Sequence, residues 1–158
     1  MSSELILNWG EHDSSLKKIL LSATLSLRIF DEDLTKLKLE QSDTADFIRN
    51  FLNTDKRNTL QIVVRNAEPF RSDSPRLMRL LATYTQNMTV LACPPHLAAL
   101  SDSLFIVDDR HALVRFHKDG ARSKVILDSA EQCAPYVHRF DEILREGGEQ
   151  VSASTLGL

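Results

Sequence analysis

The chain has 158 residues, 42% of them hydrophobic, and 19 Lys+Arg against 22 Asp+Glu give a formal charge of -3. This suffices for one domain that hides roughly 68–70% of its unfolded surface; it excludes two ordinary domains, a disordered polyelectrolyte and polyanion binding through net charge alone. Cys93 and Cys133 have no metal-ligand spacing and form no disulfide framework, no apolar run approaches the ~18–20 residues of a membrane helix, and Met1 to Trp9 lacks the order of an export signal, so a cytoplasmic protein without membrane contact is expected.

Taken in order, residues 1–12 read as an N-terminal segment. Asp13 or Ser14 can cap a first helix over about 14–23, with Leu16, Ile19, Leu20 and Ala23 at helical spacing. Leu25, Leu27 and Ile29 then alternate with Ser26, Arg28 and Phe30 in a strand that ends at Asp31-Glu32-Asp33. Asp43 is the expected N-cap of a second helix burying Phe47, Ile48, Phe51 and Leu52, and the β-branched run 60–64 is the second strand. Ser74-Pro75 starts a third helix, since proline at the first helical position loses no needed N–H. A strand over 88–92 stops at Pro94-Pro95, leaving His96 to Leu100 for about a turn and a half of helix. Leu104-Phe105-Ile106-Val107 is apolar throughout, as in a central strand covered on both faces, and leads into Asp108-Asp109.

Residues 112–116 return as a strand. Asp119-Gly120 predicts a type I′ hairpin turn with positive φ at both positions, and 125–127 completes that hairpin. Ser129-x-x-Gln132 forms a capping box for the last helix, which carries Cys133, Val137, Phe140, Ile143 and Leu144 inward. Pro135 predicts a kink or a separate first turn. Gly147-Gly148 ends the helix, residues 148–158 read as a tail, and 13–147 form one α/β domain, a mixed β-sheet flanked by helices.

Two acidic pairs follow apolar strands. The first, Asp31-Glu32-Asp33-Leu34-Thr35, resembles the nucleophile motif of haloacid-dehalogenase-type phosphatases, and Asp108-Asp109 resembles their magnesium-binding pair. That resemblance implies Asp31 as nucleophile, Asp33 as acid/base and Mg²⁺ held by Asp108 and Asp109. The sequence departs from it in two places: Arg65-Asn66 follow the second strand where Ser or Thr is expected, and Asp109 runs straight into a strand. The plain alternative is that Asp31, Glu32 and Asp33 are solvated loop residues.

A second resemblance spans about residues 14–146. In Ser101-Asp102-Ser103-Leu104-Phe105-Ile106-Val107-Asp108 the apolar core and terminal Asp108 lie on the H-x-K-x-x-x-x-D pattern of phospholipase D-like domains. Ser101 stands where that family has its nucleophilic histidine, Ser103 where it has its phosphate-binding lysine, and Arg115-Phe116 where it has Gly-Ser. A phospho-histidine needs an imidazole and the phosphorane needs a cation, and serine supplies neither. Ser101, Ser103 and Asp108 therefore form a degenerate site with no catalytic residue, metal or cofactor. The resemblance implies a phospholipase D-like half-domain, catalytically inactive, working as a binding or assembly module and pairing as a homodimer to rebuild the two-halved arrangement. Arg28-Ile29-Phe30-Asp31, Ser74-Pro75-Arg76-Leu77-Met78 and Arg139-Phe140-Asp141-Glu142 further resemble a bacterial family of degenerate domains of this kind that occurs attached to acetyltransferase domains.

Charge is uneven. Residues 110–124 hold Arg110, Arg115, Lys118, Arg122 and Lys124 against Asp119, or +4, so the rest of the chain carries -7. With Arg71 and Arg76 near the third helix, Arg110 and Arg115 are candidate anion-binding residues for a small anionic ligand or an acidic protein partner, as in a regulatory sensor. Charged strand edges that prevent mispairing are the plain alternative. Only Phe116 is aromatic in the basic run, which argues against nucleic acid as a partner.

Overall fold

The computed structural model describes residues 2–153. Eight strands form one sheet: β1 (Ser2–Ile6), β2 (Ser26–Asp31), β3 (Thr59–Val64), β4 (Met88–Ala92), β5 (Ser103–Val107), β6 (His111–Arg115), β7 (Ser123–Leu127) and β8 (Glu149–Gln150). Their spatial order is β1-β7-β6-β5-β2-β3-β4-β8. β2, β3 and β4 run parallel, and β5 turns antiparallel against β2, so the sheet is mixed.

The helices are α1 (Trp9–Leu21), α2 (Ser42–Thr54), α3 (Glu68–Asp73), α4 (Pro75–Thr83) and α5 (Ala130–Arg145). Strand alternation splits the core into two layers. Leu27, Ile29, Ile62, Val64, Phe105 and Val107 pack with residues of α1 to α4 on one face. Phe30, Val63, Leu104, Ile106 and Ile126 pack on the other against Cys133, Phe140 and Ile143 of α5. Among the described residues no helix is long and apolar enough to cross a membrane.

Several local expectations change. The segment 1–12 supplies β1 and the start of α1, which Asn8 caps by accepting from the Glu11 N–H (2.9 Å). Helix α5 runs uninterrupted through Pro135, with the Ser129 hydroxyl accepting from Gln132 N–H as the capping box requires. The hairpin β6–β7 forms, yet neither Asp119 nor Gly120 has positive φ; its loop spans seven residues and is closed by Phe116 N–H on the Arg122 carbonyl (3.0 Å). The left-handed pair is instead Asp108 (φ 55) and Asp109 (φ 56), which turn β5 into β6. Ser74 does precede α4, but the acceptor for its free N–H groups is remote: the Glu40 carboxylate takes Arg76 N–H (2.8 Å) and Leu77 N–H (3.1 Å). Within the segment read as a tail, β8 pairs with β4 and Val151 is buried; residues 154–158 of that tail lie outside the described part. Gly148 (φ 132) permits this return, because a Cβ there would stand 2.2 Å from the Ala92 carbonyl oxygen.

Candidate functional site

The carboxyl end of β2 is where ligands gather in sheets with parallel strands. Register assembles a polar row there. Phe30 faces Leu104, so the next step sets Asp31 beside Ser103; Ser103 then pairs with Arg115, and Arg115 with Ser123. Their side chains share the α1–α4 face, and the residues are 0%, 2%, 1% and 0% exposed.

A buried carboxylate costs several kcal/mol unless a cation and hydrogen bonds compensate it, and Asp31 has both. Its Oδ1 accepts from Ser103 Oγ (2.5 Å) and Arg115 Nη2 (2.6 Å). Its Oδ2 accepts from the N–H groups of Leu34 (2.8 Å) and Asp33 (3.3 Å), a turn that Leu34 completes in the left-handed region at φ 73. Arg115 Nη1 donates to the carbonyls of Lys118 (2.8 Å) and His117 (3.3 Å), while its buried Nε has no partner among the described residues.

Helix α1 covers the row. The Arg115 guanidinium lies 5.5 Å from the Trp9 ring centroid and Lys36 Nζ 5.3 Å from it, and Lys36 also donates to the Lys118 carbonyl (2.9 Å). His12 meets Trp9 edge to face at 5.0 Å and holds Asp13 through Nδ1 (3.0 Å). Burial pushes the His12 pKa below its usual 6.5; the Asp13 hydrogen bond opposes that shift and the Arg115 charge adds to it.

The opposite face at the same sheet end holds a second polar set. Arg65, 4.8 Å over the Phe30 ring, donates Nε to Glu32 (3.1 Å) and Nη1 to the Asp102 carbonyl (2.7 Å). Arg139 of α5 grips the Asp102 carboxylate with two bonds (2.8 and 3.1 Å).

Asp108 stands at the far end of the sheet. Its carboxylate accepts from Thr24 N–H (3.0 Å to Oδ2), the Thr24 hydroxyl (3.0 Å), Leu25 N–H (2.7 Å) and Ser26 N–H (3.0 Å), tying the start of β2 to the end of β5. Asp109 pairs with Arg28 (2.8 Å), which also reaches Asp141 (2.8 Å).

This placement separates the two acidic pairs of the phosphatase alternative. Because β5 runs against β2, Asp108 lies about the length of a five-residue strand, roughly 15 Å, from Asp31. Asp31 is sealed from solvent, and Asp33 accepts from Thr35 N–H and its hydroxyl. Among the described residues no three His, Cys, Asp or Glu side chains gather into a group able to hold a metal ion. The candidate anion-binding arginines also have separate partners: Arg71 with Glu149, Arg76 with Glu40, Arg110 with Asp128 and Arg115 with Asp31. Ser101 is half-buried just before β5.

Sequence reasoning missed Trp9, His12 and Lys36. Asn8-x-x-Glu11 was the available signal: it is an N-cap pattern that starts a helix at Trp9 and so turns both rings toward the sheet.

The family model described as "Domain of unknown function (DUF7931)" matches residues 10–152. The chain belongs to this family. No curated protein matches it significantly. Among solved structures it is similar to Nuc of Salmonella typhimurium, a phospholipase D family member, with 14% identity, TM-score 0.64, and 96% of this chain and 99% of that one covered. NucT from Helicobacter pylori gives 14% identity and TM-score 0.58, with 96% and 98% covered. TrmBL2, an archaeal chromatin protein with a novel mode of DNA binding, gives 14% identity and TM-score 0.70, with 96% of this chain and 54% of that one covered.

These likenesses establish a phospholipase D-like fold for the DUF7931 domain. They also correct one expectation. The argument against nucleic acid does not stand, since the same fold occurs in a DNA-binding chromatin protein. Its physical basis fails too: counting aromatics within 110–124 overlooked Trp9, which folding sets against Arg115 and Lys36.

Proposed function

We propose that this chain is a phospholipase D-like module that binds a nucleic-acid strand without cutting it. The observation that carries the loss of cutting is the closed set Asp31–Ser103–Arg115: the serine at the expected lysine position spends its proton on a buried carboxylate, and a guanidinium fills the remaining space. No side chain of that set offers a free cation or nucleophile to a phosphodiester. His12 is buried against Asp13, and His96 is exposed and held by Glu146 (2.8 Å), so neither replaces the missing imidazole.

Binding is supported by what surrounds this end. Lys36, Lys118 and Arg122 carry positive charge, Trp9 braces two cations, and Phe116 is 43% exposed, free to stack on a base. The fold shared with TrmBL2 is in keeping with this ligand class.

The test pairs two assays on the purified chain. A labelled single-stranded oligonucleotide followed by anisotropy is expected to bind more weakly as salt rises, with Phe116→Ala costing about tenfold in affinity. Bis-p-nitrophenyl phosphate is expected to release no nitrophenolate above buffer. Absence of binding at low salt overturns the ligand class; turnover that Ser103→Ala abolishes overturns the inactive site.

A further inference from the structure

A cleft of about 230 Å³ lies between α2 and α4. Buried Ala45 and Leu80 form its floor, and Asp46, Arg49, Arg76, Arg79 and Tyr84 stand in its walls. Helical spacing gathers them: Ala45 and Arg49 are one turn apart on α2, while Arg76, Arg79 and Leu80 share a face of α4. Helix–helix contact at a small residue leaves the opening, since alanine fills so little of the space opposite Leu80.

Three guanidinium groups meet two carboxylates there, and Arg79 has neither. The Glu40 carboxylate accepts from the first N–H groups of α4 and lies 3.8 Å from Arg76 Nη1, which donates to the Glu40 carbonyl (3.2 Å). Asp46, which also lines the cleft, pairs with Arg49 at 3.6 Å. The Arg79 guanidinium and the Tyr84 hydroxyl have no partner among the described residues. Three like charges held together against only two counter-charges repel, and an anion with several oxygens relieves that repulsion.

We propose that this cleft binds a small phosphoryl anion. Guanidinium forks match phosphate oxygens two at a time, and the phenol adds a neutral donor. The volume falls below the ~300–1,000 Å³ of pockets that take drug-sized ligands, which limits the occupant to something near pyrophosphate in size. This site is independent of the strand-binding reading, because it uses none of the same residues.

Pyrophosphate is the probe, titrated into the full chain by calorimetry. Saturable binding is expected, weakened about tenfold by Arg79→Ala and by Arg49→Gln, with the ligand-free unfolding midpoint of each variant close to that of the parent. No saturable binding, or binding that both substitutions leave intact, overturns the site. The oligonucleotide assay separates the two sources of phosphoryl groups. Unchanged strand affinity in Arg79→Ala assigns the cleft to a free anion; parallel loss for both probes assigns it to a nucleic-acid backbone and overturns the small-anion identity.

Discussion

Asp31 and Asp108 each close an apolar strand, and in the sequence they look alike. In the fold they do different work. Asp31 is sealed under α1 and balanced by the charge of Arg115, whereas Asp108 is half-buried and accepts from three backbone N–H groups and a hydroxyl at the rim. A buried ion pair makes each partner depend on the other, while neutral donors leave a carboxylate that water can partly replace. The end of the sheet that resembles an active site is therefore the one whose integrity depends on a charge.

Arg115→Met breaks that comparison most severely. Removing the cation leaves Asp31 charged in the core, and a loss of about 3–5 kcal/mol is expected in urea unfolding. Adding Asp31→Asn to the same chain should recover part of it, and a single-variant loss under about 1 kcal/mol would mean that Asp31 finds water instead. At the other end Asp108→Ala should cost about 2 kcal/mol, with faster amide exchange confined to Thr24, Leu25 and Ser26.

The smallest effect is on pH dependence. Burial lowers the pKa of His12 in the folded chain, so below 6.5 the unfolded chain binds a proton that the native one refuses. Stability from this source is full above 6.5 and falls as the pH drops toward the folded value. His12→Gln should flatten that acid limb, measured as the urea midpoint against pH.

The parallel core was legible because 60–64 and 88–92 are mostly β-branched or apolar, with Leu60, Ile62, Val64, Met88 and Val90 buried on one face. The edges were not. β1 is a short strand with Ser, Ser and Glu among its five residues, and β8 has only two residues, so pairing defines them more than composition does. Asp119-Gly120 marked the right hairpin with the wrong turn, because a seven-residue loop needs no left-handed pair.

Asp31, Ser103 and Arg115 each stood out in the sequence, but in separate arguments about phosphatase, lipase and anion chemistry. Register across three strands brings them together, and nothing local to any one strand encodes that. The phosphatase resemblance needs both acidic pairs at one end of the sheet, and β5 running antiparallel to β2 sets them at opposite ends.

The cap of α4 bears on how the chain assembles. Its first turn borrows an acceptor from Glu40, more than thirty residues upstream, because Ser74 makes no side-chain bond to it. An excised fragment starting after residue 40 would hold the α4 sequence with a frayed beginning, whatever its intrinsic propensity. The helix becomes fully formed only when the loop that leads into α2 has docked, which binds the two segments into one cooperative folding step.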